Sequence, residues 1–184
     1  IGSQVTAGDD VFIYVIDHGS LLPSNQSAIC LWNEDVISQS EFASEGNKIT
    51  TGAHVHIVLG QCNSGGFVSS FTNRANTTIT TACSASESSY SLSNSSYDEF
   101  VYQRTAAVLG EDPYGVTVDA DYDNDGNVSI LEAFKYANAN DAFVTGVTIN
   151  GIFCKETPQF NSNVNTFGYN HGLLGKLFEL ASIS

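Results

Sequence analysis

Two side-chain types suited to nucleophilic chemistry stand at the ends of apolar runs. "VFIYVIDHG", residues 11–19, ends on His18-Gly19, and "HIVLGQC", residues 56–62, ends on Cys62. A cysteine sulfur attacks carbonyl carbon to give a covalent acyl-enzyme, which water then releases. Glycines follow both residues: Gly19, and the pair Gly65-Gly66. Lacking a Cβ, they are expected to let backbone approach a ligand closely. N–H groups near Gly19 and Cys62 are then placed to face a developing oxyanion. A lone cysteine ending an apolar run reads as a core residue, and a lone histidine as a structural hydrogen bonder. The pair, each with glycine behind it, points to catalysis.

Elements able to position that pair are visible in the same runs. "VFIYVI" (11–16) and "HVHIVL" (54–59) are continuous apolar stretches, the pattern of strands covered on both faces, and "TTITTA" (77–82) is a third β-branched run. The connection between the first two has room for a crossover with a helix around 33–44, so the expectation is an α/β fold with a mostly parallel sheet. Functional side chains gather at the carboxyl ends of such strands, and both His18 and Cys62 sit there. "DEFVYQRTAAVL" (98–109) reads as a helix on which Phe100, Val101, Thr105 and Val108 share a face, with acids at its start and Gly110 at its end. The Ser-rich stretch before it, 83–97, reads as a surface loop. No repeat or linker divides the chain, which is read as one domain over residues 1–184.

A second constellation is "DYDNDGNVSILE", residues 121–132. It matches the twelve-residue calcium-loop pattern. Asp121, Asp123 and Asp125 occupy positions 1, 3 and 5, and Gly126 makes the turn. Asn127 offers its carbonyl, Ser129 a hydroxyl or a water, and Glu132 closes the shell from the following helix, while Val128 points to the core. Flexible oxygen ligands in this number suit calcium better than magnesium.

Bulk composition narrows the partners. The 184 residues carry 6 Lys plus Arg against 20 Asp plus Glu, a formal charge of −14. Nucleic acid and anionic membrane surfaces are repelled by such a chain. No run reaches the roughly 18 apolar residues of a membrane span. Absent methionine and abundant Ser, Thr, Asn and Gly suggest a secreted protein, and Ile1-Gly2 suggests a processed one. With Cys62 kept as a working thiol, Cys30, Cys83 and Cys154 allow at most one bridge; Cys83 with Cys154 is one expectation, a free buried Cys83 the other. His54 and His56 share a strand face and read as a rim or core pair rather than a metal pair. His171-Gly172 follows no apolar run and reads as a loop. Sequons occur at Asn25, Asn76, Asn94 and Asn127. Trp32 and Phe67 are groove candidates that packing explains equally well.

"VFIYVIDHGS" and "VHIVLGQCNSGGF" resemble the catalytic segments of legumain-like cysteine peptidases, which belong to the caspase-type fold group. "ITTACSASESSY" (79–90) is similar to the strand and Ser-Ser-Tyr loop that follow the catalytic cysteine there, and "SYDEFVY" (96–102) to the segment carrying a pocket aspartate. The likeness covers roughly residues 10–110 in order and spacing, and the tail resembles secreted microbial members. It implies a caspase-type three-layer sandwich with Cys62 as nucleophile and His18 as proton donor to the leaving amine. The N–H groups of Gly19 and Cys62 would form the oxyanion hole, and Ser89 and Asp98 would line the pocket for the residue before the scissile bond. Two departures bear on substrate choice. Gly60 stands where the family has a glutamate two residues before the cysteine. The family's preceding strand and helix, with a pocket arginine, are missing from this chain, and a sheet lacking them exposes an apolar edge. A second chain or fragment from the same precursor is therefore expected to complete the domain. With Asp98 unpaired, a basic residue at the cleavage position is expected in place of asparagine. The alternatives are a catalytically silent calcium-binding assembly module and a transpeptidase using the same acyl-enzyme; the intact His18 and Cys62 favour an enzyme.

Overall fold

The computed structural model describes residues 4–92 and 97–163. Three parallel strands form the centre, β1 (Asp10–Val15) beside β5 (His54–Leu59) beside β6 (Thr77–Thr81), and β9 (Gln159–Ser162) closes the far side antiparallel to β6. The expected strands fall where the apolar runs lie. On β5 the odd residues Val55, Ile57 and Leu59 pack into one cluster with Ala43, Ile49, Phe67 and Phe71, carried by α1 (Gln39–Gly46), α2 (Val68–Phe71) and their loops. Val58, on the opposite face, packs with Phe100 and Val101 of α3 (Glu99–Leu109) and Ala137 of α4 (Ile130–Asn140). This alternation between two helical layers makes a three-layer α/β/α arrangement, consistent with a caspase-type fold. It also explains why the strands read as unbroken apolar runs. Each fully buried aliphatic such as Ile57 contributes about 1.5–3 kcal/mol.

Helix boundaries follow local chemistry. Ser38 and Glu41 form a reciprocal capping box that starts α1. Asp98 caps α3, which stops at Gly110 in the left-handed region, φ 75°. On that helix Thr105 is only partly buried, and Arg104 takes the inner position with its guanidinium over the Tyr14 ring. The crossover differs from the expected single helix at 33–44. It first builds a small antiparallel sheet from β2 (Gly19–Leu21), β3 (Ser27–Cys30) and β4 (Val36–Ser38), and α1 begins only afterwards. Asn33 and Glu34 adopt positive φ, 61° and 65°, which breaks a helix there. Short α5 (Ala142–Thr145) and the hairpin β7 (Val147–Ile149)–β8 (Ile152–Cys154) lead to β9. Among the described residues no helix is long and apolar enough to cross a membrane.

Candidate active site

Val15 and Leu59 pair at the ends of β1 and β5. Just beyond them His18 and Cys62 line one cleft of about 250 Å³, together with Gly60, Ser89, Tyr90 and Asp98. The Asp17 carboxylate accepts the His18 N–H at 2.7 Å, and the His18 carbonyl accepts from Cys30 N–H at 2.9 Å. That last bond, with Gly19 opposite Ile29, makes theirs a non-hydrogen-bonded pair, so the Gly19 N–H points out of the small sheet. A Cβ on Gly19 would lie 2.0 Å from the Cys62 carbonyl oxygen. The histidine loop is therefore pressed directly onto the cysteine loop.

The glycines after the two residues thus serve a different purpose from the one expected. Gly19 makes room for Cys62 rather than for a ligand. A Cβ on Gly65 would meet Ser84 Cα at 2.7 Å and Ala85 N at 2.8 Å, and one on Gly66 would meet Ser27 Oγ at 2.1 Å. Gly65 and Gly66 let the protein's own backbone and side chains close behind the cysteine. Asn63, which the sequence reading passed over, completes this clamp. It adopts φ 58°, its N–H donates to Glu87 O at 2.8 Å, and its Nδ2 to Ala85 O at 2.9 Å. Asparagine tolerates the left-handed region and so fits directly after the cysteine.

Cys62 is a partly exposed free thiol whose sulfur accepts the Ser89 N–H at 3.3 Å. All four cysteines are free, so the expected Cys83–Cys154 bridge is not formed. Cys83 is wholly buried among Ser64 Oγ, Gln61 O and Glu87 O, and burial pushes its thiol up to about 11. Iodoacetamide at neutral pH is expected to alkylate Cys62 and spare Cys83, because only the accessible thiol meets the reagent. Peptide mass mapping after a short pulse checks this; modification of Cys83 at a comparable rate would contradict it.

The Ser-rich stretch is more than a surface loop, since Ser89 and Tyr90 form a wall of the cleft. Ser89 Oγ donates to Asp98 Oδ2 at 2.5 Å, while Asp98 Oδ1 accepts the Val101 N–H at 2.9 Å. Gly60 sits over this pair: a Cβ there would meet Val101 Cγ2 at 2.7 Å and Asp98 Oδ1 at 3.4 Å. Behind the wall lies an acid that the sequence did not single out. Glu156, 1% exposed, accepts the Tyr90 N–H at 2.5 Å and lies 3.4 Å from Ser89 Oγ. Its neighbour Asp141, also buried, caps α5 by accepting the Phe143 N–H. In "CKETP" a glutamate in a loop reads as solvated; only the return of the chain toward β9 buries it.

Burial pushes all three acids upward, Asp98 and Asp141 to about 6 and Glu156 to about 10, with the charges of Asp141 and Asp98 adding to the rise at Glu156. A raised carboxyl stabilises the fold below its unfolded value and loses that contribution as pH climbs through its folded value. For Glu156 that loss runs from acidic pH to about 10. Glu156→Gln, which mimics the protonated form, is expected to raise the melting temperature at pH 8 and to leave it nearly unchanged at pH 4. Calorimetry at the two values checks this, and equal shifts at both would contradict it.

In the acidic loop, ligand oxygens of Asp121, Asp123 and Glu132 come within 4.8 Å of one another. Asp121 accepts N–H bonds from Asp125 at 3.1 Å and Gly126 at 2.8 Å, and Gly126 takes φ 87°. Asp125 Oδ1 accepts the Asn127 N–H, and the Ser129 hydroxyl caps α4 by accepting the Glu132 N–H at 3.2 Å. Val128 packs against the core beside α3 and α4. His54 and His56 lie at the other end of the sheet from the cleft, near the Asp10 carboxylate at 3.0 and 3.6 Å. Phe67 is core, whereas Trp32 is 88% exposed on the β3–β4 turn. Asn94 and His171-Gly172 lie outside the described residues.

Residues 3–140 match the Peptidase C13 family. The chain belongs to this family, that of legumain. Membership in the C13 family supports cysteine peptidase activity in general. A search of curated proteins finds no match. Among solved structures the chain is similar to a Geobacter sulfurreducens protein determined in a structural genomics programme. Its TM-score is 0.57 at 14% identity, covering 91% of this chain and 72% of that one, a likeness of fold. The C13 match takes in His18, Cys62, Ser89, Asp98 and the acidic loop, and stops before Asp141 and Glu156.

Proposed function

We propose that this chain is a cysteine endopeptidase acting through Cys62 and His18. The observation that carries the reading is that both side chains open onto one cleft from the ends of neighbouring parallel strands. The Cys62 thiol passes its proton to His18 as its sulfur adds to the scissile carbonyl carbon, and the carbonyl π pair moves to oxygen. The N–H groups of Gly19 and Cys62 hold that oxyanion, a kind of contact whose loss costs on the order of 10²–10³ in rate. Collapse breaks the C–N bond, His18 gives its proton to the departing amine, and a thioester remains. Water then attacks the thioester, and the thiol is regenerated. An acyloxymethylketone peptide decides the matter: labelling at Cys62, lost in the Cys62→Ala variant, supports the reading. An intact protein that no such probe labels would be a silent module.

We also propose that residues 121–132 bind a calcium ion through Asp121, Asp123 and Glu132, with Asp125, Asn127 and Ser129 completing the loop. The convergence of three carboxylates around a turn already shaped by Gly126 supports this. The ion would join the loop to the start of α4 and has no place in the bond-breaking steps. Chelation is expected to lower the melting temperature by several degrees, the scale of about 1–2 kcal/mol in a domain of this size. Calcium is expected to restore it; a melt unmoved by chelator would contradict the site.

A secreted protein fits the polar, Lys-poor composition, and the microbial type rests on the resemblance of the tail. A strand-and-helix fragment of the same precursor is our proposed partner. Within the described sheet β1 is an edge strand, and an apolar groove of about 660 Å³ runs beside it between Ile16, Val101, Tyr102 and Leu109. Peptide or protein is the proposed substrate; a chain of this charge repels nucleic acid, and among the described residues no helix is long and apolar enough to cross a membrane.

A further inference from the structure

We propose that the cleft beside Cys62 receives a lysine or arginine side chain of the substrate, and that Glu156 is the positioning residue behind this choice. The proposal rests on the peptidase reading and adds to it the substrate class and a residue outside the matched C13 segment.

Hydrogen-bond donors run short around these acids. Ser89 has one hydroxyl proton, yet its oxygen lies 2.5 Å from Asp98 Oδ2 and 3.4 Å from Glu156 Oε1. The Val101 N–H serves the other Asp98 oxygen, Oδ1, while the Tyr90 N–H donates to the same Glu156 Oε1 that Ser89 approaches. Glu156 Oε2 and Asp141 Oδ2 meet no N–H or O–H donor among the described residues; only a proton held on one of them bridges the pair. No ion pair from Lys, Arg or His reaches Asp98, Asp141 or Glu156 among those residues. Three converging acids thus lack a balancing positive charge. A lysine brings three donors and a charge, an arginine five donors and a charge. A neutral asparagine brings no charge, and an acidic side chain is repelled. Gly60 leaves the approach to Asp98 open, where a side chain would fill it. Before substrate enters, a proton on Glu156 offsets the crowding, with Asp98, Asp141, the Tyr90 N–H and Cys83 as the groups around it. An entering cation takes over the role of that proton, acting through Ser89 and Asp98.

The test uses the full chain and one peptide series that differs only at the residue before the scissile bond: Lys, Arg, Asn or Asp. Each peptide is made both as a fluorogenic substrate and as an acyloxymethylketone. Lys and Arg are expected to exceed Asn and Asp in kcat/KM by about tenfold or more, the scale of one charge-assisted hydrogen bond. Glu156→Gln is expected to cut the Lys-to-Asn ratio by a similar factor through KM, and Glu156→Asp to restore part of it. A merely structural role would lower all four substrates alike and leave the ratio unmoved, which overturns the role of Glu156. A wild-type profile led by Asn or Asp, with Cys62 still labelled, overturns the cation preference and spares the peptidase. Failure of every probe to label Cys62 removes both. The wild-type profile decides the preference even where a variant fails to fold.

Discussion

Cys62→Ala is expected to reduce peptide hydrolysis by on the order of 10⁴-fold or more, because in the proposed mechanism the sulfur acts as a unit with its proton donor, and a methyl group cannot replace it. Stability is expected to change by only about 1 kcal/mol, since the sulfur is partly exposed and makes just weak contacts with Ser89. The measurement is a pair: turnover of a fluorogenic peptide and a thermal melt on the same preparation. His18→Ala belongs beside it. His18 is solvent-exposed, so the fold should persist while the leaving amine loses the acid proposed for it, with a fall of about 10²–10⁴. Hydrolysis that survives the loss of Cys62 would move the chemistry elsewhere in the molecule.

Gly19→Ala should also slow turnover, though it removes no reactive group. The added methyl would sit 2.0 Å from the Cys62 carbonyl oxygen and 2.7 Å from Gln61 Cγ. One loop must retreat. A displacement of about 1 Å at a reacting centre costs on the order of 10²-fold in rate. Overpacking of this kind also destabilises by about 1–3 kcal/mol. The two effects separate by comparing kcat/KM with the rate of Cys62 alkylation by iodoacetamide, which needs no oxyanion hole. Peptide turnover should fall far more than alkylation. Near-wild-type turnover in a folded Gly19→Ala protein would show that the loops are not pressed together as described.

Much of this site is legible before any coordinates. Parallel strands covered by helices on both sides must be apolar throughout, so β1 and β5 announce themselves, and their carboxyl ends locate His18 and Cys62. The caps of α3, Asp98 and Gly110, act on their own neighbours and are read locally. What escapes is what depends on distant segments. β2 to β4 are too short to show a period. Asn63 is an ordinary polar residue until its backbone turns left-handed and its amide finds Ala85. Glu156 carries no signal at all, because its burial is decided by Ser89 and Tyr90, far away in sequence. The glycines are ambiguous for the same reason: a missing Cβ announces a close approach without saying to what.

The interlocking of Gly19 with Cys62, and of Gly65 with Ser84 and Ala85, has an evolutionary consequence. Two of the three segments around Cys62 have no slack in which to accept new side chains. Divergence toward new diets must then enter through the third, the wall from Ser89 to Asp98 and the acid supporting it from behind. Relatives with altered cleavage habits should differ there while their histidine and cysteine loops stay nearly superimposable.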